Sequence, residues 1–235
     1  MTDQTAVEPI PTPPPPAADG PPLMAEDQPA IDVGPLAKLG GRKMADIEDN
    51  TPLSEKAQPL LKRDLSARDM IEELVKAKLW VDACATLAHA IPKREGVWWA
   101  AVVARRFLPA EPDRKVVLTL EAAEAWVRKP TEENRQLALA RGSAIRTTGA
   151  PSAWAAVAAG WSTGSMAPKA EVDIPAEPWM TGTAVFAAVM HAAGSVPETF
   201  YSGLHAALVC GLDIADGGNG RPQGRDEAAA GSGGL

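Results

Sequence analysis

The sequence predicts an all-α protein, a single helical domain of seven or eight helices with disordered segments at both ends. Three observations favour this fold class. Apolar residues recur at three- and four-residue spacing through residues 53–215, and Pro or Gly residues interrupt the pattern at helix-length intervals. No stretch alternates β-branched and polar residues between hairpin turns, as strands would. A bundle and a stack of antiparallel helix pairs both satisfy the pattern.

Composition sets the expected domain boundaries. Ten of the 22 prolines fall in the first 35 residues, where few apolar residues are available for burial. Residues 1–52 are therefore predicted to form a disordered, acidic, Pro-rich arm. Residues 216–235 hold seven glycines without apolar periodicity and are predicted to form a disordered Gly-rich tail. The remaining residues, 53–215, have the size of one ordinary domain.

The helices are expected in the following order. Ser66 and Asp69 form a capping pair at the start of the first helix, and the second ends before Pro92, because the residue ahead of a proline avoids helical geometry. Thr131 is expected to cap the fifth helix. The remaining helices are expected at residues 93–108, 114–128, 152–161, 183–193 and 198–215, with a Pro-rich connection before the last two.

Tryptophan is the most unusual residue type, with seven Trp against one Tyr and three Phe. Large indoles among many alanines favour packing of large side chains into spaces lined by small ones. In the segment EGVWWAAVVARR, residues 95–106, apolar residues cover every side of the helix. Trp98 and Trp99 are therefore both predicted to be largely buried.

The pattern of reactive residues favours a non-enzymatic protein with no catalytic residue, metal or cofactor. His89, His191 and His205 are the only histidines, and each lies in an Ala-rich stretch without the converging ligands that zinc needs. No Gly-x-Ser-x-Gly elbow or phosphate loop is present. An enzyme would require one histidine to share a pocket with a carboxylate or a cysteine.

Charge and hydropathy exclude other classes. The net charge is −7 and the central segment is only mildly basic, which does not fit a nucleic-acid-binding surface. The apolar run at residues 97–104 is less than half of a membrane span. Two isolated cysteines and the lack of a signal-peptide pattern predict a cytoplasmic protein.

Two segments carry a family resemblance. Residues 87–99, LAHAIPKREGVWW, and residues 122–127, AAEAWV, resemble a family of small helical proteobacterial proteins of unknown function found beside type VI secretion genes. The resemblance implies a genomic setting more than an activity. The protein expected in that setting is a non-enzymatic accessory or adaptor protein whose partner is a secretion component, effector or cargo. Residues 98–126 are also similar to an all-helical immunity-protein family of bacterial toxin systems, which implies the alternative of toxin neutralisation.

Four basic residues flank the Trp-Trp helix and are the candidate contacts for an acidic protein partner. Lys93 and Arg94 lie at its start, and Arg105 and Arg106 lie at its end. The other interpretation is that they are solvated residues at helix ends. The sequence leaves the oligomeric state open.

Overall fold

The computed structural model describes residues 24, 27–166, 172 and 174–221. Within these residues the fold is all-α, with eight helices and two isolated β-bridges, as the sequence predicts. The helices are α1 (Ala67–Lys76), α2 (Trp80–Ala90), α3 (Lys93–Arg106), α4 (Arg114–Arg128), α5 (Glu132–Ile145), α6 (Pro151–Gly160), α7 (Met180–Ala193) and α8 (Phe200–Ala215).

Local signals place most helix ends. The Ser66 hydroxyl accepts a hydrogen bond from the Asp69 amide, and the Thr131 hydroxyl accepts one from the Asn134 amide, so both predicted caps are confirmed. Ile91, which precedes Pro92, is extended and ends α2. The largest difference is at α7, which begins three residues before the predicted position.

The Ala-rich helix α6 lies at the centre and packs against α3, α4, α5 and α7. Small residues permit this crowding, since a Cβ atom at Gly160 would lie 2.6 Å from the Cβ of Leu139 on α5. Helix α3 contacts α6, α7 and α8, which a linear stack of helix pairs would keep apart. The described helices therefore form a bundle in which α3, α4, α5 and α7 surround α6.

The prediction for the adjacent tryptophans is confirmed for Trp99 and only in part for Trp98. Trp99 is fully buried, and its Nε1 donates a hydrogen bond of 2.8 Å to the carbonyl of Ala207 on α8. Trp98 is half-buried, and its Nε1 donates to the carbonyl of Asn219 at 3.1 Å. One indole thus joins the core, and the other lies beneath the segment that follows α8.

A buried arginine, Arg135, forms hydrogen bonds with the segment that follows α6. The Arg135 side chain is 1% exposed and binds both carboxylate oxygens of Glu132, each at 2.6 Å. It also donates to the carbonyls of Gly160 and Ser165. The hydrogen bonds that Glu132 accepts from Arg135 and from Gln136 lower its pKa to about 2. Arg135 therefore fixes the start of the α6–α7 connection, residues 161–179.

The prediction of a disordered arm over residues 1–52 is wrong for residues 27–52. Residues 27–66, named here the N-terminal strap, run across α1, α2 and α8 as irregular chain with four short 3-10 turns. Their apolar side chains enter the main core: Val33, Leu36, Leu39, Met44 and Ile47. Irregular turns have no helical period, so the apolar pattern gave no signal. Residues 1–23 and 25–26 of the predicted arm lie outside the described residues.

The strap is also held by polar contacts. The Asp82 carboxylate on α2 is 4% exposed and accepts hydrogen bonds from the backbone amide and hydroxyl of Ser54. Arg68 on α1 donates to the carbonyl of Gly34. These bonds satisfy buried polar groups and fix the path of the strap over the helices.

The predicted tail, residues 216–235, is described only to residue 221. This first part turns back onto the domain, where the amide of Gly220 donates to the Asp213 carboxylate at 2.9 Å. The rest of the predicted tail, residues 222–235, lies outside the described residues. None of the described helices has the length and apolar character needed to cross a bilayer.

Candidate functional site

The candidate site is a small cleft formed where the strap meets α2, α3 and α7. It has a volume of about 140 Å³, enough for one side chain and far less than most cofactor pockets occupy. The polar and aromatic side chains that line it are Arg42, His89, Lys93, Trp179 and Thr181. It is named here the His89 cleft.

A glycine brings α7 close to the base of this cleft. A Cβ atom at Gly182 would lie 2.9 Å from Nδ1 of His89 and 3.0 Å from the carbonyl oxygen of Ala88. A Cβ atom essentially never lies that close to a heavy atom to which it is not bonded, so α7 can approach α2 this closely only with glycine at position 182. The close approach covers the imidazole.

His89 is a neutral, buried histidine. Its side chain is only 7% exposed, and burial lowers the pKa of His89 from 6.5 to about 4. Among the described residues, its Nε2 has no hydrogen-bond partner. His89 therefore contributes an uncharged polar wall to the cleft at neutral pH.

Two cations line the same cleft. Lys93 Nζ donates a hydrogen bond of 2.8 Å to the carbonyl of Ser162, and burial lowers the pKa of Lys93. Arg42 donates to the carbonyl of His89 at 3.2 Å. In the described part of the chain, neither cation forms an ion pair with a carboxylate. Among the described residues, the cleft therefore carries two cations that no carboxylate pairs with.

Apolar surface lies beside these charges. Trp179 lines the cleft and is 40% exposed. Ile174 and Val172, on the same α6–α7 connection, are exposed as well. Tryptophan and arginine are both enriched at the positions of protein interfaces that contribute most to binding.

The four predicted contact residues do not form one patch. Arg94 donates to the carbonyl of Val127 at 2.7 Å. Arg105 forms a two-point ion pair with Glu124, at 2.6 and 2.9 Å. Arg106 is exposed at the end of α3, about 20 Å along the helix from Lys93. Only Lys93 lines the cleft, and partner binding by any of the four stays a prediction.

Neither Arg42 nor Trp179 is among the site residues that the sequence predicts. Arg42 lies in the segment expected to be disordered, so it carried no signal. Trp179 belonged to the general excess of tryptophan, and its exposure depends on how the α6–α7 connection folds. A cleft assembled from distant segments leaves no local motif.

The other reactive groups have separate surroundings. His191 stacks on Trp154 with ring centroids 6.2 Å apart, and His205 lies 5.3 Å from Trp80. Burial raises the pKa of the Cys210 thiol to about 12, and Cys84 is shifted in the same direction. Across residues 27–166 and 174–221, no three His, Cys, Asp or Glu side chains are grouped to hold a metal ion.

The comparisons with known proteins give one match. Residues 70–215 match a family of unknown function, DUF6931. No curated protein and no solved structure matches the chain. The match confirms the resemblance to an uncharacterised family, and it covers seven of the eight helices completely. Most of the N-terminal strap lies outside it.

Proposed function

The chain belongs to this family of unknown function, and we propose that it is a non-enzymatic protein-binding module whose docking surface is centred on the His89 cleft. The observation that carries the proposal is the exposed Trp179 beside two cations, Arg42 and Lys93, that have no carboxylate partner in the described chain. A partner with acidic side chains would neutralise the cations and cover the indole.

The wider role we propose is that of an accessory or adaptor protein acting with type VI secretion components or their cargo. The support for this setting is the resemblance of residues 87–99 and 122–127 to a helical family found beside such genes. The docking surface supports the binding function independently of that setting. His89 and Pro92 belong both to the resemblance and to the cleft.

Affinity purification of the tagged full chain from its native cell tests the proposal. Trp179→Ser removes the exposed indole from the cleft. Leu137→Ser is the matched control, because Leu137 on α5 is 41% exposed and does not line the cleft. We expect the wild type and Leu137→Ser to recover the same secretion component and Trp179→Ser to lose most of it.

Two outcomes would contradict the proposal. Repeated purification without any secretion component would remove the type VI setting. Equal recovery by Trp179→Ser and the wild type would remove the cleft as the docking surface. Recovery of a toxin encoded next to this gene, with loss of its toxicity on co-expression, would replace the adaptor role by the immunity role.

A further inference from the structure

We infer that the His89 cleft binds a single carboxylate, the side chain of an Asp or Glu on a protein partner, and that Lys93 and Arg42 are the groups that bind it. The inference rests on the proposed docking function and goes further by naming the chemical group that the cleft accepts. It follows from the charge, the size and the walls of the cleft.

The charge of the cleft is the first argument. The Lys93 ammonium is partly removed from water, which costs free energy, and its described hydrogen bond is to a neutral carbonyl, that of Ser162. Arg42 donates one hydrogen bond to the carbonyl of His89 and, among the described residues, makes no other. Both cations therefore have donors left for an incoming anion, which would also compensate the lost hydration of Lys93.

The size of the cleft is the second argument. A volume of about 140 Å³ holds one short side chain and excludes nucleotides and most cofactors. Gly96 and Gly182 form part of the lining, and each already lies close to its neighbours. The cleft therefore accepts a small group, and a carboxylate with one or two methylenes fits that space.

The walls of the cleft are the third argument. Ile91, Pro92 and Val185 line it with apolar surface, and Trp179 stands beside them partly exposed. Apolar walls suit the methylenes of an acidic side chain and strengthen its attraction to the two cations by excluding water. The charged donors in the lining, Lys93 and Arg42, are side chains. An Asp or Glu side chain can reach them from any part of a partner's chain, whereas a main-chain carboxylate is present only at the chain end. The occupant we infer is therefore an Asp or Glu side chain.

The inference is tested by titrating the full chain with three small probes. Binding is measured from the shift of the NMR signal of the Trp179 indole N–H. The first probe, N-acetyl-glutamate α-amide, has only a side-chain carboxylate. The second, N-acetyl-glutamine α-amide, is neutral, and the third, N-acetyl-glutamine, has only a main-chain carboxylate. We expect a saturable shift with the first probe, in the millimolar range typical of one charge-assisted contact, and binding about tenfold weaker with the other two.

Variants identify the groups that bind the probe. Lys93→Met keeps the length of the side chain and removes its charge, and we expect it to weaken binding of the glutamate amide about tenfold or more. Lys115→Met, an exposed lysine on α4, is the matched control and should bind like the wild type. The amide spectrum of each variant reports whether the fold is intact, which separates lost binding from lost structure.

Several results would overturn the inference. These are equal binding of the neutral probe, unchanged binding by a folded Lys93→Met, stronger binding of the main-chain carboxylate, and no saturable shift at tens of millimolar. The inference and the docking function fail differently. If the probe binds but no partner is recovered, the carboxylate site stands and the docking function is contradicted. If a partner is recovered but the probe does not bind, the docking function stands and the carboxylate site is contradicted.

Discussion

A methyl group added at position 211 should disrupt the contact between α3 and α8. A Cβ atom at Gly211 would lie 2.5 Å from Cε2 of Trp99, 2.8 Å from its Cζ2 and 2.9 Å from Cδ2 of Leu87. The indole cannot easily move away, because its Nε1 is hydrogen-bonded to Ala207 on the same helix α8. Gly211→Ala must therefore shift the helix or tilt a fully buried ring.

The size of the effect follows from two opposing terms. Overpacking a core by one methyl group costs about 1–3 kcal/mol. Alanine in place of glycine inside a helix stabilises the helix by about 1 kcal/mol. Since the ring is both buried and hydrogen-bonded, we expect the upper part of the first range and a net destabilisation of about 1–2 kcal/mol by Gly211→Ala. For a domain of this size, each kcal/mol lowers Tm by about 2–4 °C.

Denaturant unfolding followed by tryptophan fluorescence measures this change, and Gly96→Ala is the matched control. A Cβ atom at Gly96 would lie 3.1 Å from Cγ2 of Ile91 and 3.4 Å from Cγ2 of Val185, both terminal methyl groups that can shift slightly. Gly96→Ala should therefore be about as stable as the wild type. Equal stability of the two variants would refute the packing argument.

Three further predictions concern polar groups. Because the pKa of His89 falls from 6.5 unfolded to about 4 folded, stability is full above pH 6.5 and should fall by up to about 3 kcal/mol as pH drops toward 4. His89→Gln should lose that part of the pH dependence of urea unfolding, and an unchanged profile would contradict the cause. Arg105→Ala leaves the buried Glu124 without its two-point partner and should cost about 1–3 kcal/mol, whereas the exposed Arg106→Ala should cost under about 0.5. Equal unfolding midpoints of Arg105→Ala and Arg106→Ala would show that the Arg105–Glu124 ion pair contributes nothing to stability. Arg135→Met leaves the carbonyls of Gly160 and Ser165 without this donor and should cost about 1–3 kcal/mol and speed proteolysis of the α6–α7 connection. Cleavage at the wild-type rate would contradict the role of Arg135 in fixing this connection.

The helices could be predicted from the sequence because their signals are local. The caps at Ser66 and Thr131 and the stop before Pro92 each depend on residues within one helical turn. The burial of Trp99 followed from apolar residues around the whole helix. The partial burial of Trp98 could not be predicted in this way, because the group that its indole N–H contacts, the carbonyl of Asn219, lies far along the chain.

The strap and the cleft could not be predicted in the same way. The buried residues of the strap, among them Leu36 and Met44, are spaced by irregular turns, and the nearby prolines favoured disorder. The cleft joins residue 42 to residues 88–96 and 178–185, and their proximity depends on the packing of α7 against α2. Lys93 could be identified from the sequence as a basic residue beside the Trp-Trp helix. Arg42 could not, because its place in the cleft depends on the path of the strap.

Photo-crosslinking in the native cell tests the central claim, that the His89 cleft docks an acidic protein partner. Benzoylphenylalanine replaces Trp179, or Leu137 as the control position, and the adducts are identified by mass spectrometry. The account predicts one dominant partner at position 179, crosslinked through a segment that contains Asp or Glu, and loss of this adduct with Lys93→Met. An adduct of equal yield at position 137, or one that Lys93→Met leaves unchanged, would contradict it.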